Sequence, residues 1–372
     1  MKKRSTSFFG KVMIFIAVIA AIGLICGTFA GKNDPNKHIL LAFAGLAYPY
    51  LLFANLLILL WWLLRKKWIF SLVTIVIIGM GWHTLVATFG LFGSAGENAK
   101  SEASFIRMMT YNVHGFKPYG DEITKESKEK MLNVVRTQNP DIVCFQEFYT
   151  RFRGPYDTID SLKKMLNTQY FYFVPKMESK TAAMGFAIFS KYPIRDKGDI
   201  IFDNSLGNGS IYVDLEVQNQ LLRVYNIHLQ SISFDKEDYS YLDKVKAMDT
   251  EVAPTKRILH MLKSAFEKRS IQVDIMKAHM KNCTTPYIIA GDFNDTPASY
   301  AVTKMTESLN NAFIKKGQGF GKTYNGKFPN FQIDYIAATK EIEVINYKII
   351  EAKLSDHFPV RSDLRLKTNP AN

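Results

Sequence analysis

The chain reads as an α/β protein, with β-sheets packed together and flanked by helices, preceded by three transmembrane helices. Three observations lead there. Long uncharged apolar runs fill the first quarter of the 372 residues. From Phe105 onward, apolar strand-like runs alternate with helical stretches, some joined by direct turns, which fits stacked sheets covered by helices. Polar residues gather where those strands end.

The apolar runs are Val12 to Phe29, Ile39 to Leu64 and Ile69 to Leu91, none with a charged residue. Each meets or approaches the roughly 20 residues that cross a bilayer core as a helix. Lys2, Lys3, Arg4 and Lys11 precede the first run, and Arg65, Lys66 and Lys67 separate the second from the third. Cations favour the cytoplasmic side, so three crossings leave everything after residue 93 outside the cytoplasm, in a multi-pass membrane protein. Cleavage of the first run as a signal peptide leaves that side unchanged. The expected organisation is a membrane anchor over 1–92, a small-residue linker over 93–104 and a globular domain over 105–372. Spans without charges or internal repeats argue against a transporter.

Of the 47 Lys and Arg, nine fall in residues 1–99, against two of the 34 acids, so only +6 of the net +13 belongs to the remainder. That mild excess suits an anionic substrate or surface, and equally an ordinary solvated face. Cys26, Cys144 and Cys283 show no paired spacing and read as buried or spectator thiols.

Along the globular part, Phe105 to Val113 is a strand. Glu126 to Gln138 has helical spacing at Met131, Val134 and Val135 and is stopped by Pro140. Asp141 to Phe145 is apolar enough to be a strand buried on both faces. Strands follow at Tyr170 to Val174, Met184 to Phe189, Ile211 to Val217, Leu221 to Ile227 and Pro286 to Ala290, with a mostly helical stretch between His228 and Pro286. Ile333 to Ala337, Glu343 to Glu351 and Val360 to Leu366 are the last strands.

The strand ends carry Asn112, Gln146-Glu147, Asn226-Ile227-His228, Asp292-Phe293-Asn294, Asp334 and Asp356-His357. Asp292 and Asn294 stand two apart, so an extended chain points both the same way. Turn chemistry explains one such end; six are harder to assign to it.

From about Phe105 to Lys367 the chain resembles the endonuclease/exonuclease/phosphatase superfamily, which includes AP endonucleases, DNases, neutral sphingomyelinases and inositol polyphosphate 5-phosphatases. The resemblance rests on Thr-Tyr-Asn at 110–112, Cys-Phe-Gln-Glu at 144–147, Gly-Phe-Ala-Ile-Phe-Ser-Lys-Tyr-Pro-Ile at 185–194, Asn-Ile-His-Leu at 226–229, Gly-Asp-Phe-Asn at 291–294, Ile-Asp-Tyr at 333–335 and Ser-Asp-His-Phe-Pro-Val at 355–360. It implies a four-layer α/β sandwich, two packed mixed β-sheets flanked by helices, and divalent-metal hydrolysis of phosphate esters.

Such hydrolysis must neutralise the phosphate, align a water opposite the leaving oxygen and stabilise that oxygen as it departs. Under the resemblance Glu147 is the leading ligand of Mg²⁺ (Mn²⁺ as the substitute), a hard cation that keeps waters and takes few protein ligands. Asn112 joins as a neutral ligand or supports Glu147, Gln146 braces the site, and Asp356 is a further metal candidate. Asp292 orients or deprotonates the attacking water, and Asn294 holds that water or a phosphoryl oxygen. His357 pairs with Asp334, and His228 faces the phosphate as an acid or electrostatic clamp. His114 is a rim residue. His260 and His279, on helical stretches, read as satisfied core residues. Gln332 stands where many relatives carry Arg.

The expected function is therefore a membrane-anchored phosphoesterase of phosphodiesterase or endonuclease type. The alternatives are a hydrolase of phospholipid headgroups or inositol phosphates, and an inactive tethered binding module. Its partners are the phosphate-ester substrate (nucleic acid, lipid headgroup or small phosphoester) and, through the N-terminal helices, the lipid bilayer; the sequence calls for no obligate protein partner. A basic aromatic groove for nucleic acid would draw on Lys315, Lys316, Lys322, Tyr324, Lys327 and Phe331, residues that read more readily as an ordinary solvated loop.

Overall fold

Pro49 and Gly81 decide how far the apolar N-terminal runs continue as helix. The computed structural model describes residues 8–91, 93–96, 99–118, 123–202, 207–232, 252–326 and 331–367. Lys2, Lys3, Arg4, Lys327 and the 233–251 part of the expected helical stretch lie outside the described residues. Pro49 lies in the first turn of α3 (Tyr48–Leu64), where its missing N–H and its ring prevent α2 (Ile39–Leu46) from running on. Gly81, a poor helix former, caps α4 (Trp68–Met80) before α5 (Trp82–Thr88).

Among the described residues one helix, α1 (Phe8–Ala30), is long and apolar enough to cross a membrane, with a mean hydropathy of 2.7 over its most apolar window. The pairs α2 with α3 and α4 with α5 reach that standard only if each is one span bent by 65° and 70°. Three plain transmembrane helices are thus corrected to one clear candidate and two bent pairs. The third apolar run also leaves helix at its end, because Phe89–Leu91 forms β1, antiparallel to β11 (Gln318–Phe320).

The chain divides into two compact units, residues up to 88 with 296–304, and residues 89–295 with those from 305 on. The stretch read as a linker is tied down within the second unit. Ser94 N–H donates to the Lys316 carbonyl, the Ser94 carbonyl accepts from Tyr347 N–H, and Lys100 pairs with Asp141 at 2.7 Å. Ser94 and Lys100 of that small-residue stretch thus have partners in the second unit.

Two mixed sheets make the second unit. One runs β13 (Ile342–Val344), β15 (Val360–Leu366), β2 (Ile106–Asn112), β3 (Ile142–Arg151), β5 (Ala182–Ser190), β4 (Tyr170–Glu178), with β14 (Lys348–Ile349) also on β15. The other runs β10 (Asn310–Asn311), β12 (Asp334–Ala338), β9 (Tyr287–Asp292), β8 (Gln220–His228), β7 (Gly209–Val217), β6 (Ile194–Ile200). Only β2–β3 and β8–β9 pair in parallel among the described strands.

Alternation along each strand sends one set of side chains between the sheets and the other toward a helix. Ile106 and Met108 join Val224, Ile288 and Ile336 in the inter-sheet core. Met109 and Tyr111 turn instead to Met131 and Val135 of α6 (Lys125–Gln138) and Leu162 of α7 (Thr158–Leu166). On the far side, Tyr225 reaches His279 of α8 (Val252–Lys281) at 3.1 Å. Strands buried on both faces read as continuous apolar runs. Each fully buried aliphatic contributes roughly 1.5–3 kcal/mol.

Polar pins cross the apolar core. Asn226 of β8 donates to the carbonyls of Phe145 (2.8 Å) and Ala187 (3.0 Å) in the opposite sheet and accepts from Gln146 at 2.6 Å. Arg107 and Asp363 form a buried bidentate pair at 2.7 and 2.8 Å between β2 and β15.

Candidate active site

Gly291 sets the spacing of the site. Its φ is +145°, and a Cβ there would lie 1.9 Å from the Ile227 carbonyl oxygen, so only glycine lets β9 run this close beside β8. In that register His228 stands opposite Asp292, and across the next pair Asp292 stands opposite Asp334. Three polar side chains thus form a row over three adjacent strand ends.

His357 arrives from the turn before β15. Its Nδ1 lies 3.0 and 3.2 Å from the two Asp334 oxygens, which fixes the ring and leaves Nε2 3.6 Å from Asp292 Oδ2. Thr323 Oγ1 steadies Asp334 by accepting from its N–H and from that of Ile333. Burial opposes charge on the ring, but Asp334, Asp292 and Asp356 outweigh it and hold His357 well above the ordinary histidine range.

Asp292 is buried and pushed above the ordinary carboxylate range, chiefly by that burial, with Asp334 adding to it and His357 and His228 opposing. Its Oδ1 accepts from Asn294 N–H at 2.8 Å. Its Oδ2 accepts from Asn112 Nδ2 at 3.1 Å and Asn294 Nδ2 at 3.2 Å. Asn294, at φ +53°, also donates to the Leu229 carbonyl, so it holds Asp292 in place.

Glu147 is aimed by a bulge. The β3–β5 register shifts between Phe145 and Phe148, and Glu147 takes φ +50°, which turns its carboxylate out of the ladder. Burial works against its charge, but His114, His228 and Asn112 draw it down to about 2. Asn112 Nδ2 lies 3.2 Å from Glu147 Oε1, while its Oδ1 accepts from His114 N–H. Asn112 thus offers its amide N–H groups to Glu147 and Asp292 and its carbonyl oxygen to His114. His114 Nδ1 stands 3.3 Å from Glu147 Oε2 and 3.7 Å from Asp356 Oδ2.

His228 gives its Nδ1 to the Gly207 carbonyl at 3.2 Å. Its Nε2, 3.5 Å from Asp292 Oδ2 and 3.9 Å from Glu147 Oε1, is buried without a hydrogen-bond partner among the described residues. A buried polar atom of this kind calls for a ligand group. The hard carboxylate set around it fits a divalent cation.

The ligand atoms of Asp292, Asp334 and His357 lie within 4.8 Å of one another and form the one metal-capable His/Cys/Asp/Glu group among the described residues. There, however, His357 Nδ1 is already committed to Asp334. Glu147 keeps 29% of its side chain exposed, and an open side is what a cation retaining its waters needs.

All eight residues read from the sequence as catalytic or metal-binding, Asn112, Glu147, His228, Asp292, Asn294, Asp334, Asp356 and His357, are joined by this chain of contacts. Gln146 lies beneath, bonded to Asn226. His260 is exposed on α8, which corrects its reading as a core residue, and half-buried His279 bonds Tyr225. Phe331 is 4% exposed and offers no stacking face for a nucleic-acid groove. Nothing in the sequence pointed to Thr323; Asn226 entered only as part of a strand end, two before His228, and Tyr324, whose ring meets that of His357 edge-on at 5.3 Å, only in the nucleic-acid groove.

Residues 109–357 match the sequence pattern of the Endonuclease/Exonuclease/phosphatase family. The chain belongs to this family. Residues 10–88 match a domain of unknown function, DUF8431. No significant match is found among curated proteins. Among solved structures, the catalytic domain of human Nocturnin with bound sulfate anion superposes with a TM-score of 0.51 at 19% identity, covering 72% of this chain and 95% of that one. An endonuclease/exonuclease/phosphatase from Bacteroides vulgatus gives 0.51 at 18%, covering 71% and 99%. One from Beutenbergia cavernae DSM 12333 gives 0.50 at 18%, covering 72% and 73%. At these identities the likeness is one of fold: an α/β family domain with mixed sheets.

Proposed function

We propose that this family member is a membrane-anchored, divalent-metal-dependent phosphoesterase that cleaves phosphate esters by in-line attack of water. The observation that carries the reading is the convergence of His228 and His357 on one carboxylate oxygen of Asp292, with the Nε2 of His228 given no hydrogen-bond partner among the described residues. Asp292 takes the proton of the attacking water, held by Asn294 and Asn112. His357, kept charged by Asp334, clamps the phosphoryl oxygens, and His228 serves them or the leaving oxygen from the other side. Glu147, with Asp356 near it, would hold the cation, which neutralises the phosphate and stabilises the departing oxygen. The sulfate bound to the Nocturnin domain, a tetrahedral oxyanion on the same fold, is consistent with this.

A phosphodiester with an apolar portion, such as a lipid headgroup ester, is favoured over a polynucleotide by two features. A cleft of about 470 Å³ lined by Ile123, Tyr149, Met177 and Met184 opens beside Gly115, next to His114. The groove expected for nucleic acid lacks its Phe331 platform. We further propose that the N-terminal unit inserts as a multi-pass anchor with the catalytic unit outside the cytoplasm. Phe15, Ile19, Phe53, Leu57, Leu72 and Val76 leave a broad apolar surface that a bilayer would cover. A substrate panel of lipid phosphodiesters, inositol phosphates, RNA and plasmid DNA, run with and without metal, tests substrate class. A C-terminal reporter active only in the cytoplasm would overturn the orientation.

A further inference from the structure

We propose that the β1–β11 ribbon and the lysine-lined cleft beside it form a face of the catalytic unit that docks on an anionic bilayer surface. This rests on the membrane-anchored reading above and deepens it by naming the face that meets lipid. Directly opposite residues of a ladder share a face, so the pairs Phe89↔Phe320 and Leu91↔Gln318 gather three large apolar side chains. Phe89, Leu91 and Phe320 are 45%, 42% and 44% exposed, an apolar patch open to a partner. The opposite face is closed. A Cβ on Gly90 would lie 2.3 Å from the Gly317 backbone, and the hydrogen bond from Ser94 N–H to the Lys316 carbonyl ties the ribbon down.

Gln318 and Phe320 also line a cleft of about 540 Å³ whose other walls carry Lys322, Lys348, Lys353 and Glu351. Three lysines against one carboxylate leave a balance of +2. Lys322 lies over the Phe358 ring at 5.9 Å, and among the described residues none of the three lysines pairs with a carboxylate. A lysine stem can lie on apolar surface while its ammonium reaches a headgroup phosphate, and interfacial binding adds buried apolar area to attraction for anionic lipid. Two observations favour a bilayer over a protein partner. Phe89 is bonded to Thr88, where α5 ends, so the ribbon begins as the chain leaves the unit read as the anchor. A second copy docked by two-fold symmetry would set these lysines against their own kind. The cleft also adjoins the site in sequence, since Lys322 precedes Thr323 and Phe358 follows His357.

The test uses the full chain reconstituted in vesicles of phosphatidylcholine, alone or with about one third phosphatidylglycerol. Amide exchange of β1, β11 and β14 is the readout, with β9 as the check on folding. The expected result is exchange about three- to tenfold slower in the anionic vesicles, reversed by high salt. The slowing should be lost in Phe320→Ser and in the double variant Lys348→Gln, Lys353→Gln, whose side chains are exposed or half-buried. Equal exchange in the two kinds of vesicle would overturn the docking face. Slowing that follows the protein-to-lipid ratio instead of the anionic content would overturn it too, by assigning the face to a second copy. Carbonate washing after the exchange measurement scores the anchor separately: a chain that stays in the vesicles keeps that reading whatever the exchange shows, and a chain that is released sinks the anchor alone.

Discussion

Asp292 and Asp334 are direct partners across the antiparallel β9–β12 pair, two buried carboxylates side by side at the end of the inter-sheet core. Like charges so placed destabilise a sheet, and burial adds to the cost. His357 offsets it by bridging them, with one ring nitrogen at each. A pairing this unfavourable on its own makes sense as a device that holds a charged imidazole against one carboxylate and keeps the other poised as a base.

Asp292→Asn should lower the turnover of a phosphodiester by about 10²–10⁴-fold, the range of a lost general base. It should also stabilise the protein at pH 8. The folded-state value of Asp292 is raised from 3.8 to about 6, so its stabilising contribution is complete below 3.8 and lost as pH rises through about 6. Asn has no such loss. Amide exchange of β9 and β12 at pH 8 and pH 4 checks this, and equal or lower protection of the variant at pH 8 would contradict it.

Asp334→Asn should leave the fold intact and weaken the hold on the His357 proton, since Asp334 is the largest influence raising it. The alkaline limb of the pH–rate profile should move to lower pH, with a fall in turnover. An unshifted limb would remove His357 from the charged role given to it.

Asn226→Ala should destabilise the catalytic unit by about 2–4 kcal/mol, because two carbonyls and the Gln146 amide lose their partner inside the core. Exchange protection in β3, β5 and β8 is the readout, since all four tryptophans precede residue 89 and report on the other unit. Unchanged protection there would show that the sheets do not depend on this pin.

Asp363→Asn should cost about 3–5 kcal/mol by leaving Arg107 buried without its counter-charge. Burial opposes ionisation of Asp363, but Arg107 and Asn346 prevail and lower its value. Its stabilising contribution is therefore present above the unfolded value and lost as pH falls through the lowered one. The gap between wild type and variant should close in acid. A gap that widened in acid would reverse the sign assigned to the pair.

How much of this was legible in the sequence depended on whether an interaction was local. Asp292 and Asn294 announced themselves because they end an apolar strand two residues apart. β2, α6 and β15 lay close to where periodicity put them. Glu147 was legible as a residue type, but the bulge that aims it was not, because the shift exists only relative to β5. β3 runs on to Arg151 and the expected Glu343 to Glu351 strand breaks into β13 and β14, both consequences of neighbouring strands. Asn226 was opaque for the same reason, since its partners lie 39 to 81 residues away. In the N-terminal unit hydropathy located the apolar runs, but their breaks were set by Pro49 and Gly81, which a count of apolar residues ignores.

The most direct measurement is hydrolysis of bis(p-nitrophenyl) phosphate by the purified full chain, with Mn²⁺ or Mg²⁺, after chelation, and in Asp292→Asn. Metal-dependent release of nitrophenol that vanishes with EDTA, returns on readdition of the ion and is lost in the variant is the predicted result. Turnover that survives chelation, or an Asp292→Asn protein as active as the wild type, would contradict the hydrolytic role assigned to this site.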